Sequence, residues 1–343
     1  MELPMRIDGA LQKTGWPWAG GACLPPRMDD GGDWPRITIV TPSLNQGRYI
    51  EETIRSVLLQ GYPNLEYILM DGGSTDDTVD IIRRYEPWIT RWASEPDKGQ
   101  SHAINKGFRN SSGEIFGYIN SDDIYEPGAL AAMAKAYMQG GRPGLLAGDC
   151  WICDPELNPL RVFKAGWPLD LSHFLKPFAS TFPQPASFFA RNFYERVNGF
   201  DETLHYAFDQ EFFLKMGLSG AAPMFIRRVL ARYRDHRTVK TRHTVRFYVD
   251  ALMILKRYGT HCGLTTREIS SLRRKIENDV AYFETFTEWG RKGRMAAILY
   301  FSNRVIRYPD FLFDRKVLGQ ARRLFMFRAR DVAELRNRND LNG

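Results

Sequence analysis

The stretch TPSLNQGRYIEETIRSVLLQGYPNLEYILMDGGSTDDT, residues 41–78, decides how the chain is read. A β-branched apolar run, ITIVT at 37–41, leads into it and predicts a buried strand. The polar break Pro42-Ser43-Leu44-Asn45-Gln46-Gly47 follows. Ile50, Ile54, Val57 and Leu58 then recur at helical spacing, and Gly61 closes that helix. LEYILM at 65–70 is a second strand, and a second polar break, DGGSTDD, comes directly after it. Strand, helix and strand in this order make a βαβ unit, whose strands run parallel.

The alternation continues outward. Residues 75–85 read as a helix with Ser74 or Thr75 as its N-cap. TRWASE at 90–95 reads as a strand, 100–109 as a helix, 114–120 as a strand, and Pro127 opens a helix through 138. LLAGDCWIC at 145–153 has strand character, whereas 154–187 is proline-rich and irregular. Two short segments, around SFFARNFYERVNGFD and FDQEFFLKMG, suggest a strand or loop followed by short helices. MFIRRVLARYRDH gives one more strand, and from His243 the pattern is helical. Residues 1–35 are rich in Gly, Pro and Trp and form an arm. Trp16, Trp18 and Trp34 imply that the arm packs against something.

Composition sets outer limits. With 343 residues, 43% hydrophobic and 25% charged, the chain has the makeup of a globular protein with a substantial core. No apolar run approaches a membrane span, and the N-terminus lacks the apolar core of a signal peptide, so the expected location is cytoplasmic. Four cysteines do not make a disulfide scaffold. Cys150 and Cys153 form a CxxC without a second ligand pair at zinc-site spacing. The net charge of +7 suits an anionic partner, and no nucleic-acid-binding motif accompanies it.

In open α/β sheets ligands bind beyond the carboxyl ends of the strands. Each strand here ends in polar residues: Pro42 to Gly47, Asp71 to Asp77, Glu95 to Gln100, and Asn120-Ser121-Asp122-Asp123. A carboxylate such as Asp71 can accept from a nucleobase N–H, and Gly72 and Gly73 let a ligand approach the backbone. Asp97 and Lys98 can reach a base or a ribose. Asp122 and Asp123 are hard oxygen donors suited to Mg²⁺ or Mn²⁺ shared with phosphates. Taken singly, each segment could equally be a turn or a helix cap. Together on one sheet edge they describe a ligand site.

With TPSLNQGRYIEETIRSVLLQGYPNLEYILMDGGSTDDT, EPDKGQSHAINKGF and GYINSDD in order, residues 36–240 resemble a family 2 glycosyltransferase. The resemblance implies an α/β GT-A fold, a Rossmann-like mixed sheet of the nucleotide-diphospho-sugar transferases, here with a helical C-terminal extension. It also implies inverting transfer from a nucleotide-diphosphate sugar, a UDP-sugar by preference, with Mn²⁺ or Mg²⁺. Thr41, Pro42, Ser43, Asn45, Asp71, Gly72, Gly73, Asp97, Lys98, Asn105, Asn120, Ser121 and Asp122 then fall to the donor. Asp122 and Asp123 fall to the metal, although Asn120 stands where the family's DxD motif often has its first acid. YAFDQEFFLKM matches the family's acceptor-side helix start, which makes Asp209 the base and Glu211 a supporting carboxylate. His236 is a candidate third metal ligand.

The resulting layout is an arm at 1–35, a catalytic domain at 36–242 and a helical extension at 243–343. Within the catalytic domain, 36–125 is the nucleotide-binding half and 126–242 the acceptor half. The acceptor is expected to be a glycan, glycolipid or other lipid-linked cell-envelope precursor. The extension's basic helices, including KGRMAAILYFSNRVIRY, suit either a packed cap or peripheral association with the inner face of a membrane. The alternative activity is nucleotidyl transfer on a similar core, but PSLNQGRY does not look like the Gly-rich basic loop that chemistry uses.

Overall fold

The structure, a computed structural model, describes residues 15–21, 23–179, 181–237, 239–240, 243–292, 298 and 301–302. Two compact units divide them. One runs to Leu169 and resumes from 181 to Asp235. The other combines Asp170–Ala179 with the residues from His236 onward.

The first unit is built on a nine-stranded mixed sheet. Strands β1 (Ile37–Ser43), β2 (Leu65–Asp71), β3 (Arg91–Ser94) and β4 (Ile115–Tyr118) are parallel, in the order β3-β2-β1-β4. Helices α1 (Ile50–Leu58), α2 (Thr78–Tyr85) and α3 (Gln100–Arg109) connect them. Ile50, Ile54 and Val57 of α1 are fully buried, as the spacing required. Helix α2 starts later than the sequence suggests. The Ser74 N–H and hydroxyl are taken by Asp71 and the Thr75 N–H by Asn45, so neither residue caps; Asp76 accepts from the Thr78 N–H instead.

Beyond β4 the sheet changes direction. After β5 (Ile124–Tyr125) and α4 (Ala129–Gln139) come β6 (Leu145–Cys153), β7 (Pro159–Phe163), β8 (Ser187–Ala190), α5 (Arg191–Arg196), α6 (Phe208–Leu218) and β9 (Pro223–Arg234). β8 runs antiparallel to β4 and to β6, and β6 is parallel to β9. Strand β7 lies in the stretch read as irregular. Its outer positions Pro159, Leu160 and Arg161 are exposed, so it lacks the apolar run that marks a buried strand.

Helix α3 comes close to the sheet because Gly107 has no side chain: a Cβ there would lie 2.7 Å from Val40 Cγ1. This seats Phe108 on Phe116, stacked at 4.4 Å, with Phe189 and Tyr194 edge-on at 5.7 and 5.2 Å. Phe200 and Phe212, 4.3 Å apart, extend the cluster to α6. Such pairs contribute about 0.5–1.5 kcal/mol each beyond simple burial. One aromatic cluster thus fixes α3, β4, β8 and α6 together.

In the second unit α7 (Thr244–Tyr258) packs on α8 (Thr266–Lys292) through buried Ile254, Leu255, Ile276 and Ala281. The detached segment joins them: Phe178 stands 4.7 Å from Phe247, and Tyr248 stands 5.5 Å from Phe283. No described helix is long and apolar enough to cross a membrane. Most of KGRMAAILYFSNRVIRY lies outside the described residues.

Candidate active site

The register places Ser43 beside Asp71 and Asp71 beside Ser94, so three strand ends form one row. The loops above them interlock. Asn45 holds a left-handed backbone (φ 52°), its N–H donates to Ser74 Oγ, and its Oδ1 accepts from the Thr75 N–H at 2.8 Å. The Gly47 N–H donates to Asp76. Thr41 is fully buried under this edge and accepts from the Tyr67 hydroxyl. Pro42 is buried too. Ser43 Oγ is buried with no hydrogen-bond partner among the described residues.

Asp71 is mostly engaged inside the protein. Its carboxylate accepts from the Gly73 N–H (3.1 Å), the Ser74 N–H (2.9 Å), Ser74 Oγ (2.5 Å) and Ser94 Oγ (2.6 Å). Three of these donors fall on Oδ2 and one on Oδ1, so Oδ1 can still accept one more. Asp97 is more open: it is half-buried, and its Oδ1 accepts from the Gly99 N–H. A Cβ on Gly72 would stand 2.8 Å from Asp97 Oδ2 and 3.5 Å from Leu44 Cδ1. Gly72 therefore keeps open a space between an acceptor and an apolar side chain that is 55% exposed. Lys98 is exposed next to Asp97. Asn105 is fully used, joining α3 to Phe200, Glu202 and Tyr194.

Strand β4 ends in Tyr118, and the Ile119 N–H donates to Val40 O. The turn 120–123 follows. The Asn120 side chain accepts from Gln100 Nε2 at 2.5 Å and donates to Gln184 Oε1 at 3.1 Å and Asp123 Oδ2 at 3.4 Å. Gln184 in turn donates to Tyr118 O. A carboxylate at 120 could not donate to Gln184 and would add charge beside Asp123, which gives a physical reason for asparagine. Ser121 is buried, Asp122 is half-exposed and Asp123 is fully buried. Asp123 Oδ1 accepts from the Arg234 N–H at 2.9 Å. Burial, then the Asp122 charge, pushes the Asp123 carboxyl well above the usual carboxylate range, against the pull of Arg234 and Asn120.

Arg234, which sequence reasoning missed, is the hub of this turn. Buried at the end of β9, it donates from Nε to Asp122 O at 2.8 Å and pairs with Glu52 Oε2 at 2.5 Å. Its guanidinium also lies 4.6 Å from the Tyr49 ring centre.

Helix α6 arrives from the other half of the unit. Phe208 tilts against Tyr118 at 6.3 Å, and Asp209, half-buried, follows it. Burial, then the charges of Asp209 and Asp123, raises the Tyr118 hydroxyl's pKa far above its ordinary value. Both carboxylates thus bear on one residue at the strand end. Glu211 is buried, 3.2 Å from Lys215 Nζ, and Lys215 also donates to Gly199 O. That arrangement ties α6 to the turn before it. His236 is buried in the second unit.

As for a cation, the half-exposed Asp122 fits a hard ion that is also held by phosphate oxygens, since one or two carboxylates plus phosphates is a common set for Mg²⁺. Among the described residues no group of three His, Cys, Asp or Glu side chains forms a metal cluster.

The comparisons agree with this architecture. The model of the family described as Glycosyl transferase family 2 matches residues 38–197. An uncharacterised glycosyltransferase of Mycobacterium tuberculosis is 31% identical over 201 residues, 58% of this chain and 75% of that one. Staphylococcus aureus TarS 1–349, solved with UDP-GlcNAc, superposes with a TM-score of 0.53 at 15% identity, over 78% of this chain and 80% of that one. The Pyrobaculum calidifontis mannosyltransferase PcManGT, solved with GDP-Man and Mn²⁺, superposes with a TM-score of 0.51 at 18% identity, over 90% and 84%. The mixed sheet is the GT-A fold, the chain is a glycosyltransferase, and it belongs to glycosyltransferase family 2.

Proposed function

We propose that this enzyme moves a sugar from a nucleoside-diphosphate sugar to an acceptor hydroxyl with inversion, Asp209 serving as base. One observation carries the reading: Phe208, which opens α6 and precedes Asp209, packs at 6.3 Å on Tyr118, the end of the strand that leads into the turn 120–123. Inversion by single displacement needs a base on one face of the anomeric carbon and stabilisation of the leaving diphosphate on the other.

Asp97 accepts from an N–H of the base, with Leu44 as an apolar wall and Gly72 giving the space between them. Thr41, Pro42, Ser43 and Asn45 bound the same pocket, with the Ser43 hydroxyl buried at its wall and without a hydrogen-bond partner among the described residues. Lys98 lies next to the ribose. Asp71, Gly73, Asn105 and Asn120 hold this frame in shape. Asp122 is the residue that would hold Mn²⁺ or Mg²⁺, with Asp123 fixing the turn beneath it. When bound, the cation supplies positive charge to the departing diphosphate. Asp209 takes the acceptor hydroxyl's proton as that oxygen attacks. Glu211 and Lys215 keep α6 in place while it does so.

The nucleotide sugars bound by TarS and PcManGT, one UDP-linked and one GDP-linked, support a nucleotide-sugar donor, and the family resemblance favours UDP. The acceptor is a glycan or a lipid-linked envelope precursor. Exposed Lys256, Arg257, Arg267, Arg274 and Lys275 on α7 and α8 support peripheral binding to an anionic membrane, testable by vesicle co-sedimentation.

Asp209→Asn is expected to lower transfer by about a hundredfold or more, the scale of a lost general base, while nucleotide binding survives. Unchanged turnover sinks the assignment. A thermal-shift screen of UDP-, GDP- and dTDP-sugars, with and without Mn²⁺, tests donor and metal together.

A further inference from the structure

The N-terminal arm lies outside the matched family region, yet it reaches the carboxylate turn by two routes. In the first, Trp16 Nε1 donates to Tyr125 O at 2.7 Å. Tyr125 belongs to β5, which begins directly after Asp123. The Trp16 ring packs on the small cluster of Ile124, Cys153 and Leu157 under that strand. In the second, Trp18 Nε1 donates to Glu52 Oε1 at 3.3 Å, and the other oxygen of Glu52 pairs with Arg234. Arg234 holds the Asp122 carbonyl through its side chain and the Asp123 carboxylate through its N–H. Arg55 anchors the arm between these points. It donates to Pro17 O and Trp18 O, and its guanidinium lies 5.0 Å from the Trp18 ring centre.

We propose that Trp16 and Trp18 are positioning residues of the donor site, strapping the turn 120–123 from behind through Tyr125 and through the Glu52–Arg234 pair. The inference rests on the reading of that turn as the cation and diphosphate site. Its physical basis is preorganisation. A carboxylate contributes fully to binding only if its turn is already held, and a buried ion pair holds its geometry best when its remaining lone pairs are occupied. Trp18 occupies one of those positions on Glu52. Trp16 fixes the strand that leaves the turn. Neither side chain touches a reacting group in this arrangement, so their effect should appear in the metal affinity of the nucleotide complex and in the mobility of the turn.

The experiment uses the full chain carrying Trp16→Phe and Trp18→Phe together, which remove both indole N–H donors and keep aromatic packing. Two measurements are compared with the parent: the apparent Mn²⁺ affinity in the presence of UDP or GDP, and amide exchange across 120–125. The expected result is a several-fold loss of Mn²⁺ affinity, unchanged nucleotide binding without metal, and faster exchange in the turn. Equal Mn²⁺ affinity with equal exchange overturns the strap. Slower folding or loss of structure in the double variant shifts the same test to Trp18→Phe alone, whose ring is half-buried at the arm's edge. If the parent itself binds no nucleotide in response to Mn²⁺, the reading of the site fails, and turn exchange still decides the strap: faster in the variant supports it, unchanged overturns it.

Discussion

At the end of β2, Asp71 finds every partner within 23 positions of itself, most of them in its own loop. At the end of β4, two strands away, the turn 120–123 is held by Gln184, 64 positions from Asn120, and by Arg234, 111 positions from Asp123. Arg234 in turn depends on Glu52, 182 positions away. Both ends place acids against a buried strand. The first is a self-contained clamp that could form as soon as its loop closes on β3. The second draws its partners from α1, β9 and the segment before β8. The geometry of the acidic turn is therefore a property of the whole first unit, whereas that of the Asp71 loop is a property of one βαβ unit.

The sharpest way to break this contrast is Arg234→Met. It leaves Glu52 buried without its cation and strips donors from the carbonyls of Asp122 and Pro155. A loss of about 3–5 kcal/mol is expected, the cost of orphaning one member of a buried pair. Denaturant midpoints measure it, and a loss below about 1 kcal/mol would mean that the turn does not depend on distant partners. Asp71→Asn should cost less, about 1–3 kcal/mol, because an amide oxygen cannot receive four donors. Its effect should stay local, with amide exchange rising at 72–74 and not at 120–123. Spread to the second turn would erase the distinction.

The smallest effect is one of pH. Glu66 on β2 is buried, which would raise its carboxyl, but the Thr38 hydroxyl, the Ser112 N–H and hydroxyl and the Arg36 guanidinium together hold it below the usual range. A depressed folded-state value means that the unfolded chain takes up the proton first. The stability Glu66 contributes is thus present above the ordinary value of about 4.3 and is lost as pH falls through the lowered one. Glu66→Gln should flatten that part of the acid limb in urea midpoints measured from about pH 6 to pH 3. An unchanged limb would show that the pair of strands β1 and β2 is not tied by this charge.

What could be read from sequence follows the same division. β1, β2, α1 and α3 were legible because their apolar periods are unbroken, and DGGSTDD and NSDD because polar residues stop those periods abruptly. Short β5 and exposed β7 carry no period long enough to read. Asp71 was assigned to the ligand by residue type and Asn105 by resemblance; only coordinates reveal that Asn105 is fully hydrogen-bonded and that three of the four donors to Asp71 crowd onto one oxygen. Arg234, Glu52 and Gln184 were invisible because each matters through a partner far along the chain. The division between the units is not sequential either, since 170–179 groups with residues beyond Asp235.

That last feature has a bearing on synthesis. Phe178 leaves the ribosome well before Phe247, the ring it packs against, has been translated. At roughly 5–20 residues per second the wait lasts several seconds or more. During that interval the first unit is still lacking β9, which pairs along the whole of β6. The nascent chain must therefore carry an apolar loop, unpartnered, through the period in which the catalytic sheet closes. Any variant shortened at about residue 245 would carry it permanently.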